Sequence, residues 1–345
     1  MKSFKNVMIS RKIDFPKLFM GLILIGLLTA SCNNNKEPVS FTGEAQGTYY
    51  AITYFDDQSR NFQPQMDSLF KSFDLSASVY SKESVISRFN RNDSTVLSDQ
   101  VFDAVFNKAM EVSEETGGAF DITVMPLVNV WGFGYTERSK VDSALVDSLL
   151  SLVGYQKIKL VNRRLQKEDS AMMIDFNAIA QGYTCDLIGK FLESKGINNY
   201  LVDVGGEVLG KGTKANGVPW RVAIEKPAAD ASDQREIQVT VSLNNKALAT
   251  SGNYRSYFME NGKKYSHTID PATGFPVQHS VLSVSVLADD CMTADAYATA
   301  FMVMGLEKTK QFLNTKRGLE AYIIYDQDGV LTVWSSKGFP NSNAE

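Results

Sequence analysis

Between Asn199 and Leu287 the chain breaks into short runs of alternating apolar and polar residues, separated by brief turns. Asn199–Gly212 reads as strand, Gly205-Gly206 turn, strand. Trp220–Pro227, Glu236–Leu243, Lys246–Ser251, Tyr254–Glu260, Lys263–Ile269 and Val281–Leu287 continue the series. Parallel neighbours need crossover connections of a dozen or more residues, so connections this short restrict the region to mostly antiparallel pairing.

Helical spacing surrounds this region. Gln63–Leu75, Asp99–Thr116 and Ser139–Val153 repeat their apolar residues every three or four positions. Gly117-Gly118 end the second of these as a C-cap. Ser84 opens a shorter helix. Ala45–Phe55 reads as a strand, and Lys157–Val161 with Ala171–Phe176 as a strand pair joined by a charged turn. A helix begins at Met292, another follows over Leu306–Thr315, and two strands, Glu320–Asp326 and Val330–Ser335, complete the pattern. No linker composition interrupts residues 41–336. The expected fold is one α+β body with mixed or antiparallel sheets carrying packed helices.

The N-terminus has a different character. Lys2, Lys5, Arg11, Lys12 and Lys17 precede the apolar run Leu18–Ala30, which is too short for a membrane-spanning helix of roughly 20 residues. Residues 1–31 read as a signal peptide. Leu28-Thr29-Ala30-Ser31-Cys32 resembles a lipobox, which makes Cys32 the expected lipidation site, residues 32–44 a polar tether and the membrane a partner. Residues 337–345 read as a disordered tail. Five cationic side chains and one anionic one leave with residues 1–31, taking the formal charge from −4 to −8. Such an acidic chain argues against a nucleic-acid partner. Cys185 and Cys291 sit among apolar neighbours and read as buried thiols, although one disulfide between them is open. With only His267 and His279, no zinc spacing exists.

Candidate chemistry is scattered. Asp295 and Thr299 are four apart and share a helix face. A carboxylate beside a hydroxyl suits a hard cation such as Mg2+, and equally describes a solvated Asp near a surface Thr. Gly47-Thr48 admits close backbone approach or is a plain strand start. Tyr80 can stack on a ring and Arg88 can hold an anion; each is also an ordinary surface residue. Ala119-Phe120-Asp121 follows a helix end, as pocket edges often do. Gly182 lets a helix approach something closely. His267 and Asp270, beside the turn residues Pro271 and Gly274, are placed for acid–base work or form a polar edge.

Eight stretches taken together resemble the ApbE family of FAD:protein FMN transferases, in family order. They are Gly47-Thr48-Tyr49-Tyr50, Tyr80 with Ser84–Asn90, Ala119-Phe120-Asp121, and Asp175 with Ala180–Tyr183 and Asp186. Gly205-Gly206-Glu207, Ser251–Tyr254, His267–Gly274 and Thr293–Thr299 complete the set. The resemblance implies a T-fold-like body and Mg2+-dependent cleavage of FAD, with FMN passed to a Ser or Thr hydroxyl of a target protein and AMP released. It implies Mg2+ at Asp295, Thr299 and the Ala180 carbonyl. It places FAD along Gln46, Gly47, Tyr80, Ala119, Phe120, Asp121, Tyr183 and Ile269, and proton transfer at His267. Gln46 stands where Met is common, and Gln181 where Lys or Glu is. The implied acceptor is a membrane redox-complex subunit or periplasmic flavoprotein, and the implied location is the periplasmic face of a bacterial inner membrane. Two other readings use the same residues: an Mg2+-dependent FAD pyrophosphatase giving FMN and AMP, and a non-catalytic FAD-binding lipoprotein.

Overall fold

The structure, a computed structural model, describes residues 37–135, 141–227, 236–253, 257–260 and 263–340. The expected signal peptide 1–31, the lipidation site Cys32 and the tail residues 341–345 lie outside the described residues.

In chain order, β1 (Val39–Ala45) and β2 (Thr48–Tyr54) lead to α1 (Gln63–Ala77), α2 (Val85–Asn90), α3 (Gln100–Glu115), α4 (Met125–Val130) and α5 (Ser143–Leu150). A small hairpin, β3 (Ile158–Val161) and β4 (Arg164–Lys167), precedes α6 (Ala180–Ser194). Then come β5 (Tyr200–Val204), β6 (Glu207–Lys211), β7 (Trp220–Glu225), β8 (Ile237–Leu243), β9 (Lys246–Gly252), β10 (Tyr257–Glu260), β11 (Lys263–Ser266) and β12 (Val281–Ala288). The chain closes with α7 (Cys291–Thr315), β13 (Glu320–Gln327) and β14 (Val330–Ser335).

Eight strands form one sheet in the order β1-β2-β5-β6-β9-β12-β13-β14, and every neighbouring pair is antiparallel. The short connections read from the sequence therefore produce the expected pairing. The α+β class holds; the mixed-sheet option does not, since the described sheets are wholly antiparallel.

Strand periodicity sorts side chains between two cores. Ala247, Ala249, Val284, Val286, Ala321 and Ile323 face the helices, while the alternate Leu248, Leu287, Tyr322 and Ile324 face the β7–β8 hairpin. Trp220, Val241 and Leu243 of that hairpin cover the second face. On the helical side, α7 lies over β9 and β12 with α6 beside it. Ala247 and Ala249 are small, which lets α7 approach the sheet.

Three expectations are corrected here. Residues 39–44 are not tether: they form most of β1, paired with β2 from Val39↔Tyr54 to Ala45↔Thr48, and the compact unit starts at Pro38. Phe41 packs edge-on against Tyr50 and Tyr54, which gives the strand its apolar reason. The tail does not begin at 337 either. Phe339 is buried against Tyr322, and Gly338 N donates to Glu320. Finally, Ile158–Val161 pairs with Arg164–Lys167 through a tight turn at Asn162-Arg163, both at positive φ, rather than with residues 171–176. There, the Asn90 amide accepts from Ile174 N at 2.8 Å and donates to Ile174 O at 2.9 Å, standing in for a strand partner.

Candidate active site

The site is built where α6 and α7 meet. Asp290 caps α7, its carboxylate accepting from Thr293 N at 2.8 Å and Thr293 Oγ1 at 2.9 Å. One turn further, Asp295 is buried, and its Oδ2 accepts from Gly182 N in the first turn of α6 at 3.0 Å. The absence of a side chain at 182 is required, because a Cβ there would stand 2.4 Å from Cys291 O and 2.7 Å from Asp295 Cβ. Thr299 follows on the same face of α7. Beyond it, α7 kinks at Gly305 (φ 74°), where the His279 ring meets Met302 O at 2.7 Å.

Asp295 and Thr299 open onto a cavity of about 420 Å³. Its polar lining residues include Asn177, Gln181, Glu207, Thr250 and Ser251, and its apolar ones Phe120, Ile122, Val128, Phe133 and Ile269. Ala119, Asp121 and His267 also line it. The His267 ring stands edge-on to Phe133 with centroids 6.3 Å apart. A satellite core of Leu127, Trp131, Val146 and Val153 supports this end of the cavity, and Trp131 Nε1 donates to Gly274 O at 2.9 Å in the turn after His267.

Of the residues to which the resemblance assigns a role, the cavity gathers Ala119, Phe120, Asp121, His267, Ile269, Asp295 and Thr299, and Asp175, Gln181, Gly205, Glu207, Ser251 and Gly252 of the same stretches line it too. Others stand back from it. Ala180 opens α6, and its carbonyl accepts from Thr184 Oγ1 at 2.9 Å. Gln46 and Gly47 form the β1–β2 turn, with φ of 53° and 72°. Gln46 Nε2 donates to Thr184 Oγ1 at 2.8 Å, while its Oε1 is buried with no hydrogen-bond partner. Tyr80 is 63% exposed and meets the wall residue Asn177 at 3.5 Å through its hydroxyl. Tyr183 departs furthest from expectation. Gly182 takes the face of α6 that meets α7, which turns Tyr183 into the core beside Phe73 at 6.3 Å. Asp121 lines the cavity, but its carboxylate is engaged by Thr123 N and Oγ1 and by Tyr155 N.

Phe133, Asn177 and Thr250 carried no sequence signal of a site. Asn177 sits in an irregular segment, Phe133 follows a turn, and Thr250 lies near the end of a strand of ordinary alternation.

Burial sets the electrostatics. It pushes the Asp295 carboxyl up to about 7, with the Gly182 N–H pulling the other way and Asp186 adding to the rise. Asp175 is pushed up to about 6 by burial, opposed by its hydrogen bonds from Asn177. A buried carboxylate with no cation beside it is costly, and a divalent cation would reverse that cost. Among the described residues no group of three or more His, Cys, Asp or Glu side chains assembles to hold a metal. The donors available here are a carboxylate, a hydroxyl and the nearby Ala180 carbonyl. All are oxygens, which suits a hard cation that keeps several waters, and the residues present fit Mg2+.

Comparison with known proteins converges on one family. A model of the ApbE family matches residues 46–323. A FAD:protein FMN transferase of Vibrio cholerae is 38% identical over 324 residues, spanning 91% of this chain and 96% of that protein. One of Haemophilus influenzae is 34% identical, spanning 94% and 97%. The solved structure of the flavin transferase ApbE from Vibrio cholerae superposes with a TM-score of 0.78 at 35% identity, covering 88% of this chain and 98% of that one. With its fold, cavity and nearly full-length similarity in agreement, the chain belongs to the ApbE family.

Proposed function

We propose that this protein transfers FMN from FAD to a Ser or Thr hydroxyl of a target protein, releasing AMP, with Mg2+ as its cofactor. The observation that carries the reading is a single cavity lined both by Asp295 and Thr299 and by the aromatic and aliphatic side chains of Phe120, Ile122, Val128, Phe133 and Ile269. That combination matches a substrate with a flavin at one end and a pyrophosphate beside it.

Asp295, Thr299 and the Ala180 carbonyl would hold the ion. Bound there, Mg2+ supplies charge neutralisation as the pyrophosphate P–O bond breaks. Phe120 and Ile269 cover apolar flavin surface, and the hydroxyls of Thr250 and Ser251 offer polar contacts in the same cavity. The acceptor hydroxyl oxygen attacks the FMN-side phosphorus, the bond to the AMP-side oxygen breaks, and AMP leaves. His267 takes the proton of the attacking hydroxyl as a general base, the role an imidazole most often fills. Gln46 supports the site through Thr184, whose hydroxyl donates to the Ala180 carbonyl.

The same proposal places the protein on the periplasmic face of a bacterial inner membrane, lipidated at Cys32, with a membrane redox-complex subunit or periplasmic flavoprotein as acceptor. The Leu28–Cys32 stretch and the basic, then apolar, N-terminus support it.

The test incubates full-length protein with FAD, Mg2+ and candidate acceptor domains from the same cell. AMP release together with flavin fluorescence surviving a denaturing gel is the expected result. AMP and free FMN without any labelled acceptor would mean hydrolysis instead. Tight FAD binding with no AMP would overturn the enzyme reading.

A further inference from the structure

The cation-binding donors come from two helices, so their mutual placement depends on how the start of α6 is held against the start of α7. Asp186 belongs to one of the sequence stretches noted above but is not part of the cavity wall. It is buried. Its Oδ1 accepts from Cys291 N at 2.8 Å and its Oδ2 from Met292 N at 2.9 Å. These are the first two N–H groups of α7, which a helix cannot satisfy internally. The Asp290 side chain serves the third, Thr293 N. The exchange is reciprocal: Asp186 of α6 holds the first turn of α7, while Asp295 of α7 accepts from Gly182 N in the first turn of α6.

We propose that Asp186 is a positioning residue for the cation site, setting Asp295 and Thr299 of α7 against the Ala180 carbonyl of α6. This rests on the metal reading given above. Asp186 touches neither substrate nor cation, and acts through the backbone of Cys291 and Met292. Two donors meet two acceptors, so the carboxylate is matched in number as well as charge. Asn keeps the shape but turns one acceptor into a donor facing an N–H. Glu keeps both acceptors on a longer arm.

The test is a Mn2+ titration of full-length protein, read by EPR with and without FAD, for wild type, Asp186→Asn, Asp186→Glu and Asp290→Ala. Melting temperature is recorded in parallel. The proposal expects Asp186→Asn to weaken Mn2+ binding about 10–100-fold, in line with loss of a group that orients metal ligands. Asp186→Glu recovers part of that affinity. Asp290→Ala, which removes the other cap of the same helix, lowers the melting temperature but leaves Mn2+ affinity within about twofold of wild type. Unchanged Mn2+ affinity in a destabilised Asp186→Asn would overturn the proposal alone. So would equal weakening by Asp290→Ala, which would make general order of the α7 start the cause. Absence of Mn2+ binding by wild type under both conditions would overturn the metal reading and the proposal with it.

Discussion

Gly182 donates its backbone N–H to Asp295 Oδ2 across 3.0 Å, and this contact brings the start of α6 onto α7. A side chain at 182 would meet a backbone carbonyl at 2.4 Å, and backbone cannot rotate away. Gly182→Ala should therefore lower the urea midpoint, by an amount equivalent to about 1–3 kcal/mol of overpacking. It should also weaken Mg2+-dependent transfer. An unchanged midpoint would show that the two helices separate freely.

His267 lines the cavity beside Phe133. His267→Asn should reduce single-turnover flavin transfer about 10²–10⁴-fold, the usual contribution of a general base. Equilibrium FAD binding should change little, because the apolar lining and the α7 donors are untouched. Loss of binding in step with rate would assign His267 to substrate contact instead.

Asp56 ties the end of β2 to the chain that follows. Arg60 Nε meets Asp56 Oδ2 at 2.9 Å, Nη2 meets Oδ1 at 2.7 Å, and Nη2 also donates to Lys195 O after α6. The Arg60 hydrogen bonds hold the Asp56 carboxyl down at about 2, below its ordinary 3.8. A depressed carboxyl contributes stability above its unfolded value and loses it as pH falls through the folded one. Asp56→Asn should thus be less stable than wild type at pH 7, by about 1–3 kcal/mol for a charged hydrogen-bonded partner. The two urea midpoints should converge between pH 4 and pH 2. A constant difference across that range would contradict the assignment.

The hairpins of the central sheet were legible because their alternation is unbroken and their turns carry residues that adopt positive φ, such as Gly205, Gly206, Asp328 and Gly329. β1 was not, because Val39–Ala45 is an edge strand whose outward residues are polar and which follows a polar stretch. Residues 171–176 have strand-like composition, yet the Asn90 side chain, 84 positions away from Ile174, satisfies their backbone; such a partner leaves no periodic trace. The α7 part of the site could be read because Asp295 and Thr299 lie one turn apart on a single helix. The rest of the cavity lining could not, since Phe133, Asn177 and Thr250 come together only through the packing of the segment after α4, the segment before α6 and β9. Tyr183 shows the limit of reading a motif residue by residue. Its neighbour Gly182 occupies the functional face, so Tyr183 turns into the core.

The kink in α7 gives a prediction outside the chemistry. Gly305 has φ 74°, and the His279 ring meets Met302 O at 2.7 Å just before it. His279→Ala would leave that carbonyl without this partner and should cost about 1–3 kcal/mol in urea unfolding. Gly305→Ala should destabilise as well, because its φ is strained for any side chain and the new Cβ would lie 3.2 Å from the His279 ring. Neither change should alter the substrate concentration needed for half-maximal transfer.

The most direct measurement compares wild type with Asp295→Asn for covalent flavin on an acceptor, run with FAD and Mg2+ and read by fluorescence in a denaturing gel. Asn retains an acceptor for the Gly182 N–H. The Asp295 carboxyl is held up to about 7 by burial, so the stability it contributes when protonated is lost as pH rises through that value. The neutral variant escapes this loss and should fold at least as stably as wild type without metal at pH 8. The expected result is a folded variant whose labelling rate falls about 10³-fold, the scale of several kcal/mol of charge stabilisation. A folded Asp295→Asn that labels the acceptor at the wild-type rate would contradict the cation site and the mechanism built on it.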